Sequence, residues 1–295
     1  MRRNIRTKKR SVKRTPISSK KRSVKRMSLS SKKRKLVSSS LRFENNVKSQ
    51  KDLPKIYVIN LKKDKTKWNK YQGDYNKGLI DRYSACLGVD PQTKYKSQFD
   101  KNEKNLQIMW NAGEKKRKCT AGIITSHLGV INKIHKSKSA FPKAGVLIIE
   151  DDAIINFTRL KRAMKKINKY KSSIIYFGGT LHPPDSFKNK TWYNNIDKIR
   201  SSFKKESFNT IDPTKYRILG GHGYYFPTWE TVDELLKKLD VKKKLKLLDS
   251  EMVQLQRSKM IKHFYYPAIS YLNIEDAKKG VHAVYFDNER TMEFY

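Results

Sequence analysis

Cysteine is almost missing from this chain: Cys86 and Cys119 are the only two among 295 residues. Two thiols so far apart in sequence give neither a disulfide framework nor a zinc-type spacing. Long apolar runs are missing too, and none approaches the roughly 20 residues a membrane helix needs. The N-terminus is basic but has no apolar h-region, so it does not read as a secretory signal. Gly-x-x-x-x-Gly-Lys-Ser/Thr and Gly-x-Gly-x-x-Gly are both absent, which argues against a P-loop NTPase and a dinucleotide enzyme. Acidic residues are missing from one end only: residues 1–40 hold 17 Lys or Arg and no Asp or Glu. These absences predict a soluble, cytoplasmic protein that is not secreted.

What the first 40 residues do contain is a repeat. Lys8 to Ser19 recurs as Lys20 to Ser31 and begins again at Lys32, a period of 12 that alternates basic clusters with serine-rich spacers. So high a charge density with so few apolar groups cannot offset the entropy of ordering. The predicted organisation is a disordered Lys/Arg/Ser-rich tail over 1–50 and one folded domain over 51–295. Basic clusters of this kind suit phosphate binding by counterion release, nuclear import or an anionic membrane. No aromatic interleaves them, so base stacking is not expected. The net charge is +40 from 67 basic and 27 acidic residues, and residues 41–295 keep 50 basic against those 27. That residual excess reads as solvated surface lysine.

The body alternates short apolar runs with amphipathic ones. Lys55–Leu61, Tyr83–Gly88, Ser173–Gly179 and Leu219–Phe226 read as strands, and Phe264–Tyr271 ends the core. Thr120–Ile134, Thr158–Tyr170 and Trp229–Leu239 read as helices, with a further helix near Leu247–Met252. Residues 89–118 and 180–215 read as loop regions, the first with short helices. Such alternation predicts an α/β fold with a mainly parallel sheet covered on both faces.

One stretch concentrates the chemistry. Val146–Ile149 is a short β-branched run that reads as a buried strand, and Glu150, Asp151 and Asp152 follow it at once. In open α/β sheets ligands bind beyond the carboxyl ends of strands. Three acids there repel one another unless a divalent cation sits among them. A simpler reading is an acidic loop capping the next helix. Carboxylate ligands favour Mn2+ or Mg2+, and with them a diphosphate, so a nucleotide-sugar transferase fits.

Several blocks, in order, resemble glycosyltransferase family 25, the group of bacterial lipooligosaccharide galactosyltransferases and collagen galactosyltransferases. They are Ile56–Leu61, Ser84–Gly88, Ala121–His127, Leu147–Ala153, Ile175–Gly179, Gly221–Tyr225 and Leu248-Asp249, spanning about residues 53–270. The resemblance implies a GT-A fold, Rossmann-like, and inverting transfer of a hexose, galactose or glucose, from a UDP-sugar donor to a glycan or protein acceptor. It implies Glu150, Asp152 and His222 as metal ligands, Asn60, Ser126, His127 and Asp151 at the donor site, and Asp249 as catalytic base. His127 also reads as a hydrogen-bonded core histidine, Asp249 as a helix cap and His222 as part of a glycine turn. The chain departs from the family in Lys62, Lys63 and Lys65, where arginine is usual, and in Ile123, where cysteine is usual. The alternative reading is a non-catalytic nucleic-acid- or virion-associated binding protein with a GT-A-like body.

Overall fold

The computed structural model describes residues 52–109, 111–184, 196–239 and 248–272. The basic repeats expected to be disordered lie outside the described residues. Among the described residues, seven strands form the central sheet. β1 (Lys55–Asn60), β2 (Ile80–Ser84) and β3 (Val146–Glu150) lie on one side, and β5 (Ile174–His182), β6 (Ser207–Thr210), β7 (Arg217–Phe226) and β8 (Ile261–Tyr266) on the other. The order is β2-β1-β3-β7-β5-β8-β6. β1, β2 and β3 run parallel, β7 is antiparallel to both its neighbours, β8 runs parallel to β5, and β6 closes the edge antiparallel. Five strands therefore share one direction and two oppose it: the sheet is mainly parallel. A separate ribbon pairs β4 (Ala153–Ile155) with β9 (Ser270–Leu272).

Alternation along the strands divides the core. Tyr57, Ile59, Val146, Ile148, Tyr176 and Tyr224 belong to one buried cluster, which also takes Ile124, Leu128 and Ile131 of α4 (Glu114–Lys136). Val232 and Leu235 of α7 (Trp229–Leu239) and Met252 and Leu255 of α8 (Leu248–Arg257) join it. The intervening residues Val58, Leu147, Ile149, Phe177 and Tyr225 are buried outside that cluster, and the Phe177 and Tyr225 rings stack at 4.9 Å. The first turns after β1 are α1 (Lys65–Asn69) and α2 (Gln72–Asn76). Asn156 caps α5 (Phe157–Met164), its side chain accepting from Arg159 N at 2.9 Å, and Leu160 and Ala163 are buried.

Three segments differ from the expected pattern. The region expected as loop at 89–118 contains α3 (Lys96–Met109), whose buried positions Phe99, Asn102 and Leu106 are spaced for one helix face. Asn102 interrupts the apolar signal because its amide donates to Thr125 Oγ1 of α4 at 2.9 Å. The region 180–215 contains the end of β5, α6 (Ile196–Ser201) and the polar edge strand β6. The strand expected at Tyr83–Gly88 lies earlier, at β2, and residues 85–88 leave the sheet.

Candidate metal centre and donor edge

Sheet register assembles the site. β3 and β7 pair Ile148 with Tyr224 and Val146 with Phe226. Continuing that antiparallel register by two residues sets Glu150 opposite His222. Asp152 lies in the turn between β3 and β4. Ligand atoms of Glu150, Asp152 and His222 all lie within 4.8 Å of one another, the one such group among the described residues. Ligands bonded at about 2.1 Å to one ion stand roughly 3 to 4 Å apart, so small side-chain shifts would close this set on a cation. His222 is 8% exposed, and its Nδ1 makes no hydrogen bond among the described residues. Gly220, at φ +99, leaves room for that ring: a Cβ there would meet the imidazole at 2.9 Å. The strand, not a glycine turn, carries His222.

Strand β9 locks this arrangement from behind. Ser270 Oγ donates to the His222 carbonyl, and a Cβ on Gly178 would fall 1.9 Å from Ser270 O. Because β9 pairs with β4, directly after Asp152, the same ribbon ties the acidic turn to the His222 strand.

The other expected donor residues are engaged within the protein. Asn60, 1% exposed, donates to Asp151 Oδ2 at 2.7 Å and to the Asp64 carbonyl at 3.3 Å. Asp151 also pairs with Lys67 at 3.3 Å. Burial raises the Asp151 pKa, with Lys67 and Asn60 acting in the opposite direction. Burial acts against the charge on Lys67, but Asp151 and Asp152 outweigh it and hold its pKa above the ordinary value. Ser126 is a tie between elements: its Oγ accepts from Cys86 N at 2.8 Å and donates to Gly122 O at 2.7 Å. His127, 1% exposed, has Nε2 2.9 Å from Glu150 Oε1 and Nδ1 2.7 Å from Tyr224 Oη. It sits behind Glu150 with both nitrogens occupied. Asp249 lies in the first turn of α8, and its side chain is outside the described residues.

Two cations at this edge escaped the sequence reading. Arg82 of β2 donates to Asn60 Oδ1, to Leu61 O at 3.1 Å and to Lys62 O at 3.2 Å, and lies over the Trp68 ring at 4.7 Å. Lys67 reaches Asp151 from α1. Nothing local to either residue announces its partner, since each contact spans two or more elements. A cavity of about 280 Å³ beside them is lined by Leu61, Lys62, Lys63, Leu87, Asp90 and Gln92. Another, of about 300 Å³, lies around Leu53, Lys55 and Asp81, at the opposite end of β1 from the acids.

Comparison with known proteins supplies the class. The sequence model of glycosyltransferase family 25 (LPS biosynthesis protein) matches residues 53–252. The chain belongs to that family, and it is a glycosyltransferase. No curated protein matches it by sequence. Among solved structures it is similar to a UTP-bound UGPase from Acinetobacter baumannii, with 12% identity and a TM-score of 0.31 over 75% of this chain and 87% of that one. Backbones that superpose so loosely carry no function across, so the assignment rests on the family match. No helix of the described residues is long and apolar enough to cross a membrane.

Proposed function

We propose that the chain is a GT-A-type enzyme that moves a hexose, galactose or glucose, from a UDP-sugar to a hydroxyl of a glycan or glycoprotein acceptor, with inversion and a divalent cation, Mn2+ or Mg2+. The observation that carries this reading is the convergence of Glu150, Asp152 and His222 at the carboxyl edge of β3. Two carboxylates and an imidazole suit Mn2+ somewhat better than Mg2+, which prefers an all-oxygen shell. When bound, the cation supplies positive charge for the departing diphosphate.

The chain's own residues do the rest. Lys67 adds a cation at the same edge, held there by Asp151. The cavity at Leu61 and Leu87 offers apolar walls for a flat base, with Asp90 and Gln92 as hydrogen-bond partners. Asp249, in the first turn of α8, is our assignment for the base that takes the acceptor hydroxyl's proton as the anomeric carbon is attacked from the face opposite the nucleotide. The basic tail, in this reading, is an electrostatic appendage that holds the enzyme on anionic partners.

Released nucleotide, measured over UDP- and GDP-hexoses with and without Mn2+ or Mg2+, tests the reading. Turnover is expected with a UDP-hexose and only with metal, and Asp152→Ala should reduce it to background. Unchanged turnover in Asp152→Ala would remove the metal assignment. Salt-sensitive nucleic-acid binding with no turnover of any sugar nucleotide would favour the binding-protein alternative.

A further inference from the structure

We infer that His127 is the positioning residue of the metal centre, carrying its proton on Nε2 and relaying a hydrogen bond from Tyr224 to Glu150. The inference rests on the metal reading above and adds the groups that orient one ligand. An ionised Glu150 carboxylate can only accept, so the 2.9 Å contact requires Nε2–H of His127 to donate. With that single proton on the ring, the other nitrogen accepts, and Tyr224 Oη is 2.7 Å from it. Tyr224 is 2% exposed, and its phenol O–H is the donor that faces this nitrogen. The bonds therefore point one way, from Tyr224 through His127 to Glu150.

The fold builds this relay from rigid parts. His127 lies mid-way along the 23-residue α4 among buried neighbours on that helix. Tyr224 stands two residues from His222 on β7, opposite Ile148 of β3. One strand thus supplies both a metal ligand and the anchor of the relay, while its neighbour ends in the oriented carboxylate. Histidines beside metals ordinarily bind the ion and are oriented by a carboxylate; here the order is reversed, with the imidazole orienting the carboxylate. Groups of this outer shell typically change metal affinity or activity 10–100-fold when replaced.

The test uses full-length, metal-free protein and Mn2+ alone, with free Mn2+ read by electron paramagnetic resonance. His127→Leu should bind Mn2+ about 10–100-fold more weakly. His127→Gln, whose amide N–H can stand in for Nε2–H, should recover most of that loss, and Tyr224→Phe should fall between. Independently, 15N spectra of metal-free wild type should show the His127 proton on Nε2, and the Nδ1 resonance should shift in Tyr224→Phe. A proton on Nδ1 overturns the inference and leaves the metal reading intact. So does wild-type Mn2+ affinity in folded His127→Leu, the result for a merely structural histidine. Failure of the wild type to bind Mn2+ overturns both. Should His127→Leu not fold, Tyr224→Phe, which removes one oxygen from a filled pocket, and the 15N signature decide the matter.

Discussion

His182 ends β5 opposite Arg217 of β7, with Nε2 2.9 Å from Thr180 Oγ1. Burial, then Arg217 and His222, lower its pKa from 6.5 to about 4. In the unfolded chain the same imidazole takes its proton near 6.5. Between those values the unfolded state binds more protons than the native one, so stability rises with pH there. Conversely, stability is lost as the pH falls from 6.5 toward 4, by up to roughly 3 kcal/mol from this group. His263, lowered by burial and Lys262, acts in the same sense. Asp151 and Asp74, raised by burial, act oppositely just above 3.8, so the upper part of the window should be steepest. Urea titrations at pH 7 and 5 should show the fall, and His182→Gln, which cannot ionise, should narrow the difference between them. An equal drop in both proteins would mean that His182 is not held neutral by the fold.

At the scale of elements, the loop after β1 is held by one side chain from the next strand. Arg82 bonds Asn60, Leu61 and Lys62 and stacks on Trp68, so β2 fixes the entry into α1 where the donor is proposed to lie. Arg82→Ala should speed amide exchange across 61–70 at least tenfold and raise the KM for donor more than it lowers kcat. Arg82→Lys should rescue little, since an ammonium cannot form a planar fork or stack in the same way. Unchanged exchange would show that α1 holds itself. This clamp also shows what the sequence could and could not disclose. β1, β3 and α7 were legible because each buries a short apolar run or a one-sided stripe whose period is local. α3 was not, because its buried face spends Asn102 on a bond to Thr125 that only the neighbouring helix explains. β6 has the polar surface of an edge strand. The antiparallel entry of β7 depends on chain direction, which no period records. Glu150 and Asp152 stand out by their place after an apolar strand, whereas His222 entered only through the family resemblance, and the fold is what brings it beside them. Arg82, Lys67 and the Tyr224–His127 contact came from no local pattern.

Over the whole molecule, charge and catalysis occupy separate stretches of the chain. The family match covers residues 53–252, and the 17 Lys or Arg without an acid precede it, in residues 1–40. Binding by such clusters would release counterions, so its affinity should fall linearly in log–log form with salt, each duplex phosphate neutralised adding about 0.9 to the slope. Without aromatics among the clusters, stacking adds nothing, and duplexes of different sequence should bind alike. The full chain should therefore bind duplex DNA steeply in salt and indifferently to sequence. A chain of residues 51–295 should lose most of that slope, because its 48 basic groups are offset by 26 acids, yet retain sugar-nucleotide turnover within about twofold. Fluorescence anisotropy between 50 and roughly 300 mM salt, paired with nucleotide release, reads both properties on the same two proteins. If shortening abolished turnover while the remainder stayed folded, the tail would belong to the catalytic unit. If the slope survived shortening, the anion-binding surface would lie on the α/β body, and the lysines around the β1 edge would be the first place to seek it.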